Sequence, residues 1–128
     1  EVLTDELERK GLLAIAVVTV ATGATQVLVP GAMLGPLRAQ DTPATRHLFG
    51  TVGMFMVIVG GLLFGALRRP GEARRVVFWA SAQKLGASGA VALGVRRSVF
   101  AWPALLVAAF DFASGVLALD YWRRLGGR

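Results

Sequence analysis

The 128-residue sequence contains no cysteine and a single histidine, His47. The lack of cysteine excludes disulfide bonds, thiolate metal sites and cysteine catalysis. One histidine cannot form a zinc site without further ligands at a suitable spacing. We therefore predict no metal, no cofactor and no catalytic residue, and an enzyme is the less favoured class.

Charged residues are also scarce, at 17% of the chain, whereas 55% is hydrophobic and the mean hydropathy is +0.59. This composition is typical of membrane proteins rather than of water-soluble domains. The formal net charge is +6, but the arginines occur in short clusters between apolar runs, as they do in loops that flank membrane spans. We expect the lipid bilayer to be the partner of this chain, and no nucleic acid.

Four long apolar runs predict four transmembrane helices, at about residues 11–30, 45–67, 76–95 and 100–120. A hydrocarbon core of about 30 Å requires roughly 20 such residues in a helix. The first run is long and follows an acidic start, so we interpret it as a retained helix rather than a signal peptide. The expected fold is all-α, a single domain over residues 1–128 that forms an integral membrane four-helix bundle with antiparallel up-down-up-down topology.

The distribution of positive charge predicts the orientation of this bundle. With four crossings, the termini and the loop between the second and third spans share one side. That side carries nine positively charged residues, namely Arg9, Lys10, Arg68, Arg69, Arg74, Arg75, Arg123, Arg124 and Arg128. The other side carries four, namely Arg38, Arg46, Arg96 and Arg97. Because positive loops stay in the cytoplasm, both termini are expected on the cytoplasmic side of a bacterial plasma (inner) membrane.

Lys84 and Asp111 lie near the middle of the third and fourth runs. Charges at bilayer depth are costly, so they normally face the bundle interior and pair with one another. Lys84 lies 13 residues before Arg97 and Asp111 lies 14 after it. At 1.5 Å per residue both reach a depth of roughly 20 Å from that turn. We expect the two side chains to be neighbours, in contact directly or through a water or a hydroxyl.

Further polar residues recur at helical spacing, with Ser81 and Ser88 on the face of Lys84, Ser114 near Asp111, and Thr19, Thr22 and Gln26 on the first helix. They predict a modest polar cavity. The candidates for ligand or ion binding are Lys84, Asp111, Gln26, Ser81, Ser88, Ser114 and Thr22, and the interfacial candidates are Arg46 and His47. The alternative is structural, because a buried ion pair can fix helix register and serine or threonine can join helices.

One sequence pattern extends over most of the chain. It comprises Pro30-Gly31-Ala32-Met33-Leu34, a loop, Leu48-Phe49-Gly50-x-x-Gly53 and then Val59-Gly60-Gly61-Leu62. This order resembles small bacterial four-transmembrane proteins of the DoxX-like and related domain-of-unknown-function families. The resemblance implies a four-helix membrane bundle and carries no functional residue to this chain.

Three functions are compatible with these features. The first is a non-enzymatic membrane protein, either an accessory or interaction subunit in a homo-oligomer or larger complex, or a bundle that binds a small hydrophobic ligand. An accessory role predicts a lipid-facing groove of small residues. The spacings Gly31-x-x-x-Gly35 and Gly61-x-x-x-Gly65 allow close helix packing, within one bundle or between two copies. The second is a homodimeric proton- or ion-coupled transporter of small solutes, which needs a path from water to Asp111. The third is a lipid- or quinone-modifying membrane enzyme, which needs a pocket at Arg46 and His47.

Overall fold

The computed structural model describes residues 2–127, which are almost entirely helical and contain no strand. The helices are α1 (Val2–Leu28), α2 (Pro30–Leu34), α3 (Pro43–Leu67), α4 (Ala73–Arg96) and α5 (Ala104–Gly126). A 3-10 turn over Pro70–Glu72 joins α3 to α4. The all-α prediction is confirmed. Arg128, one of the nine cations counted above, lies outside the described residues.

Local sequence explains where α3 begins. Thr42 is extended (φ −111°, ψ 162°), and its hydroxyl accepts a hydrogen bond from the backbone N–H of Thr45 at 3.1 Å. Pro43 occupies the first helical position, where its missing N–H costs no intrahelical bond. At the other connections, Arg38 (φ 52°) and Ser98 (φ 60°) adopt the left-handed conformation that few non-glycine residues adopt.

Three helices are long and apolar enough to cross a membrane. These are α1, α3 and α5, with mean hydropathies of 1.9, 2.1 and 1.6 over their best windows. The helix α4 is not among them, although the sequence predicted a span there. Its 24 residues include Gln83, Lys84 and two serines, and these polar side chains lower its hydropathy. The structure thus supports membrane insertion through three helices.

The long helices pack as two close pairs, α1 with α3 and α4 with α5, while α3 with α4 and α1 with α5 share fewer contacts. Glycine allows the close approach in the first pair, because a Cβ at Gly53 would lie 2.5 Å from the carbonyl oxygen of Gly23. In the second pair, a Cβ at Gly115 would lie 2.7 Å from the Leu85 side chain. Such positions let helix backbones pack closely in lipid.

The apolar core lies toward the chain termini, and a polar layer lies beyond it. Leu12, Leu67, Val77 and Tyr121 belong to one buried cluster drawn from all four long helices. Outside this cluster, buried polar side chains recur along α1, α4 and α5, namely Thr19, Ser81, Lys84, Ser88 and Ser114. The candidate site is therefore a layer within the packed helices rather than a feature of the loops.

Ionic contacts connect the helices near the termini. The Nε of Arg124 on α5 lies 2.8 Å from Glu8 Oε1 on α1 and 2.9 Å from Asp120 Oδ2 on its own helix. The Nη1 of Arg124 lies 3.6 Å from Asp5 Oδ1 on α1. The Arg9 Nε donates a hydrogen bond to the carbonyl of Leu67 at the end of α3, at 2.7 Å. These contacts bring the first turns of α1 next to the last turns of α3 and α5.

Candidate functional site

The Lys84 ammonium is the centre of the polar layer and is only 4% exposed. Its Nζ lies 3.7 Å from Asp111 Oδ1 on α5, so the two charges are neighbours as the sequence predicted. Its shorter contact is a 2.5 Å hydrogen bond that Nζ donates to Thr19 Oγ1 on α1. Because 3.7 Å exceeds hydrogen-bond length, Asp111 acts on Lys84 through charge while Thr19 binds it directly.

The sequence placed Thr19 in the polar stripe of the first helix but did not predict that it would bind Lys84. Its hydroxyl donates to the carbonyl of Ile15 at 2.8 Å, which leaves its oxygen lone pairs to accept from Lys84. In the described residues, α1 and α4 have no backbone contact of their own. The lysine side chain therefore supplies a direct polar contact between two helices whose backbones do not approach each other closely. The polar stripe of the first helix contained Thr19, but nothing in the sequence paired that stripe with α4.

The two serines of α4 join it to α5. Ser81 donates to the carbonyl of Gly115, and Ser88 donates to the carbonyl of Ala108, both at 2.8 Å and both buried. Ser114 is buried on the facing helix. Since both α4 hydroxyls use helix carbonyls as acceptors, their geometry favours the structural alternative, in which they hold helices together.

Gln26 belongs to a different contact. Its Nε2 donates to the carbonyl of Phe49 at 3.1 Å, which links α1 to α3. Thr22, one turn before it, is half-buried. The structure thus brings Lys84 on α4 next to Asp111 on α5 and Ser81 on α4 next to the carbonyl of Gly115 on α5. Gln26 instead takes part in the packing of the α1–α3 pair.

The interfacial candidates lie at the start of α3. Arg46 is bound to Asp41, with Nη2 donating to Oδ2 at 2.9 Å, and this guanidinium holds the pKa of Asp41 below its usual range. His47 is exposed and does not line the groove that begins beside it. The enzyme hypothesis at Arg46 and His47 stays a prediction.

Grooves on the surface of the described residues include three that are not lined by Lys84 or Asp111. The first, here called the glycine groove, has a volume of about 940 Å³ and is lined by Val57, Ile58, Gly61, Leu62, Gly65, Ala66, Arg68, Arg69, Glu72 and Val76. The second, here called the loop groove, has a volume of about 590 Å³ and is lined by residues of α2, the segment after it, the first turns of α3 and the turn between α4 and α5. The third, of about 510 Å³, lies between α1 and α5 beside Glu8 and Asp120.

The predicted polar cavity around Lys84 is not one of these grooves. The reason is that the neighbouring helices supply acceptors directly, through Thr19, Asp111 and the two carbonyls bound by the serines. The sequence had also predicted ligand or ion binding by these side chains, and that role stays a prediction.

Comparisons with protein-family models, with curated protein sequences and with solved structures gave no match to this chain. The resemblance to DoxX-like proteins therefore stays a prediction, and the function has to be argued from the geometry. Among the described residues, no three histidine, aspartate or glutamate side chains are grouped so that they could hold a metal ion.

Proposed function

We propose that the chain is an integral protein of the bacterial inner membrane in which all four long helices cross as an antiparallel up-down-up-down bundle. Three of them are apolar enough to span by themselves. The fourth, α4, has its lysine and two serines bound by α1 and α5, so these groups are shielded from lipid. The excess of arginine near the termini supports a cytoplasmic location for both chain ends.

We further propose that the protein is a non-enzymatic accessory subunit that binds a helix of another membrane protein in the glycine groove. The observation that carries this proposal is the open space at Gly61 and Gly65. A Cβ at either position would meet nothing within 4 Å. By contrast, a Cβ at Gly60 would lie 2.8 Å from Val20 of α1. One face of α3 therefore packs within the chain, and a second small-residue face is left uncovered.

The exposure of α3 supports the same function. Only 17% of its most apolar window is buried, against 28% for α1 and 39% for α5. Glycine on a lipid-facing surface offers little area to lipid but allows close approach of a second helix. Arg68, Arg69 and Glu72 at the end of the groove supply polar groups that can orient a partner. A groove of small residues is also what the sequence predicted for an accessory role.

The buried charges are assigned a structural role in this proposal. A transporter requires water to reach Asp111, and the three grooves do not include Asp111 or Lys84. Lys84 is instead held between Thr19 and Asp111. Its contribution is to keep the two helix pairs in register, so that α3 and α4 form the walls of the glycine groove.

Substitution of Gly65 by leucine tests the accessory role. The new side chain fills the groove without an internal clash, since nothing lies within 4 Å of its Cβ position. The matched control is Gly89→Leu, which is equally open but lies on α4 outside the groove. Quantitative mass spectrometry of proteins purified with the tagged chain from native membranes measures the partner.

We expect Gly65→Leu to lose the partner and Gly89→Leu to retain it, while both variants keep the unfolding transition of the wild type. Retention of the partner by Gly65→Leu would contradict the proposal. So would purification of the wild type as a clean monomer in mild detergent. A second copy of this chain as the only partner would indicate a homo-oligomer instead of an accessory complex.

A further inference from the structure

The loop groove is lined by both polar and apolar residues. It is formed by α2, the segment that follows it, the first turns of α3 and the turn between α4 and α5. The lining residues are Leu34, Arg38, Ala39, Gln40, Thr45, Leu48, Phe49, Val52, Ser98, Val99 and Phe100. Its volume of about 590 Å³ falls within the range of roughly 300 to 1,000 Å³ that is usual for small-molecule sites.

The charge at the loop groove has one sign. Arg38 is its only charged lining residue, and no carboxylate lines it. The nearby Asp41 is already bound by Arg46. The groove therefore attracts an anion, and its apolar lining residues favour an anion that carries a hydrocarbon chain.

The backbone around the groove is held in place before any ligand binds. The Ala101 N–H donates to the carbonyl of Leu37 at 2.8 Å, which fastens the α4–α5 turn to the segment after α2. Arg38 and Ser98, the non-glycine residues with positive φ among those described, both line this groove. Strained backbone is concentrated at ligand sites, where the surrounding structure maintains it.

We propose that the loop groove binds an anionic phospholipid of the surrounding bilayer. The phosphate is bound by Arg38 with the amide of Gln40 and the hydroxyl of Ser98, through charge-assisted hydrogen bonds. One acyl chain lies along α3 against Leu48 and Val52, which are 65% and 53% exposed. The bilayer is the source because the apolar side of the groove is the surface of a helix apolar enough to cross a membrane.

Native mass spectrometry of the full chain in detergent tests this site. The protein is offered phosphatidylglycerol and phosphatidylcholine with identical acyl chains at equal concentration. We expect preferential retention of phosphatidylglycerol. Arg38→Gln should weaken that retention roughly tenfold, as expected for the loss of a hydrogen bond to a charged group. The matched control Arg97→Gln removes an exposed positive charge from the turn between α4 and α5 without altering the lining, and should bind as the wild type does.

A second variant addresses the acyl chain. Val52→Trp fills the apolar part of the groove and leaves every charge in place, so it should also weaken binding of phosphatidylglycerol. If Arg38→Gln does not fold, Val52→Trp still tests the site. Equal binding of the two lipids by the wild type would overturn the proposal, as would equal losses in Arg38→Gln and Arg97→Gln. Unchanged binding by Val52→Trp, or complete displacement of the lipid by inorganic phosphate, would overturn it as well.

Discussion

Replacement of Lys84 by methionine is the perturbation that tests the polar layer most directly. Methionine keeps much of the side-chain volume but removes the ammonium, so Thr19 loses its donor and Asp111 loses the cation 3.7 Å away. Removal of one partner from a buried ion pair costs about 3–5 kcal/mol. Asp111 retains 13% side-chain exposure and the ion pair is longer than a hydrogen bond, so we expect a loss near the lower end, about 3 kcal/mol.

For the double variant Lys84→Met with Asp111→Leu, we expect a much smaller loss of stability than for Lys84→Met alone. Replacing both members of a buried pair by apolar residues is often neutral or stabilising. We therefore expect the double variant to recover most of the stability that the single variant loses. Lys10, the other lysine of the chain, is exposed, and Lys10→Met should change the free energy of unfolding by no more than about 0.5 kcal/mol.

Equilibrium unfolding in mixed detergent micelles measures these three variants against the wild type. The reasoning is refuted if Lys84→Met is as stable as the wild type. It is also refuted if the double variant is as unstable as the single one, because the loss would then arise from packing around residue 84 and not from an uncompensated carboxylate.

Two further predictions concern other parts of the chain. Gly53→Ala should destabilise the protein by about 1–3 kcal/mol through overpacking, because the new Cβ would lie 2.5 Å from the carbonyl oxygen of Gly23. The control Gly61→Ala has open space around its Cβ position and should leave the free energy of unfolding nearly unchanged in the same assay. Equal effects of the two substitutions would contradict the helix packing described. Asp41 should titrate below its ordinary pKa of about 3.9 because Arg46 stabilises the carboxylate. Carbon-13 NMR should show this midpoint rising in Arg46→Gln, and an unchanged midpoint would remove the ion pair as the cause.

The contact between Lys84 and Asp111 could be predicted because a short connection, residues 97–103, limits the register of the two helices that flank it. Residues at nearly equal distances from Arg97 must reach nearly equal depth, and charge then favours their pairing. The partner Thr19 could not be found in this way. Its helix lies across the layer from α4, and which helices face each other depends on how the two pairs assemble.

The hydropathy of the sequence located the apolar runs. It did not locate the ends of the helices or the helix faces that stay uncovered. The first helix begins at Val2, well before its apolar run, because acidic residues can extend a helix beyond the membrane. The open space at Gly61 was likewise beyond the reach of sequence, since Gly60 beside it is packed against α1. Both are glycines in one helix, and only the rotation of α3 against α1 decides which of them a neighbour covers.

The division into two close helix pairs has a consequence for biosynthesis. A chain is made from its N-terminus, so α1 and α3 are synthesised before Lys84. Until then the contacts available to the first pair include glycine-mediated packing and the hydrogen bonds of Gln26 and Arg9, with Thr19 still lacking its ammonium donor. Synthesis of the second pair supplies that donor, so the contact between Thr19 and Lys84 can form only after both pairs have been made.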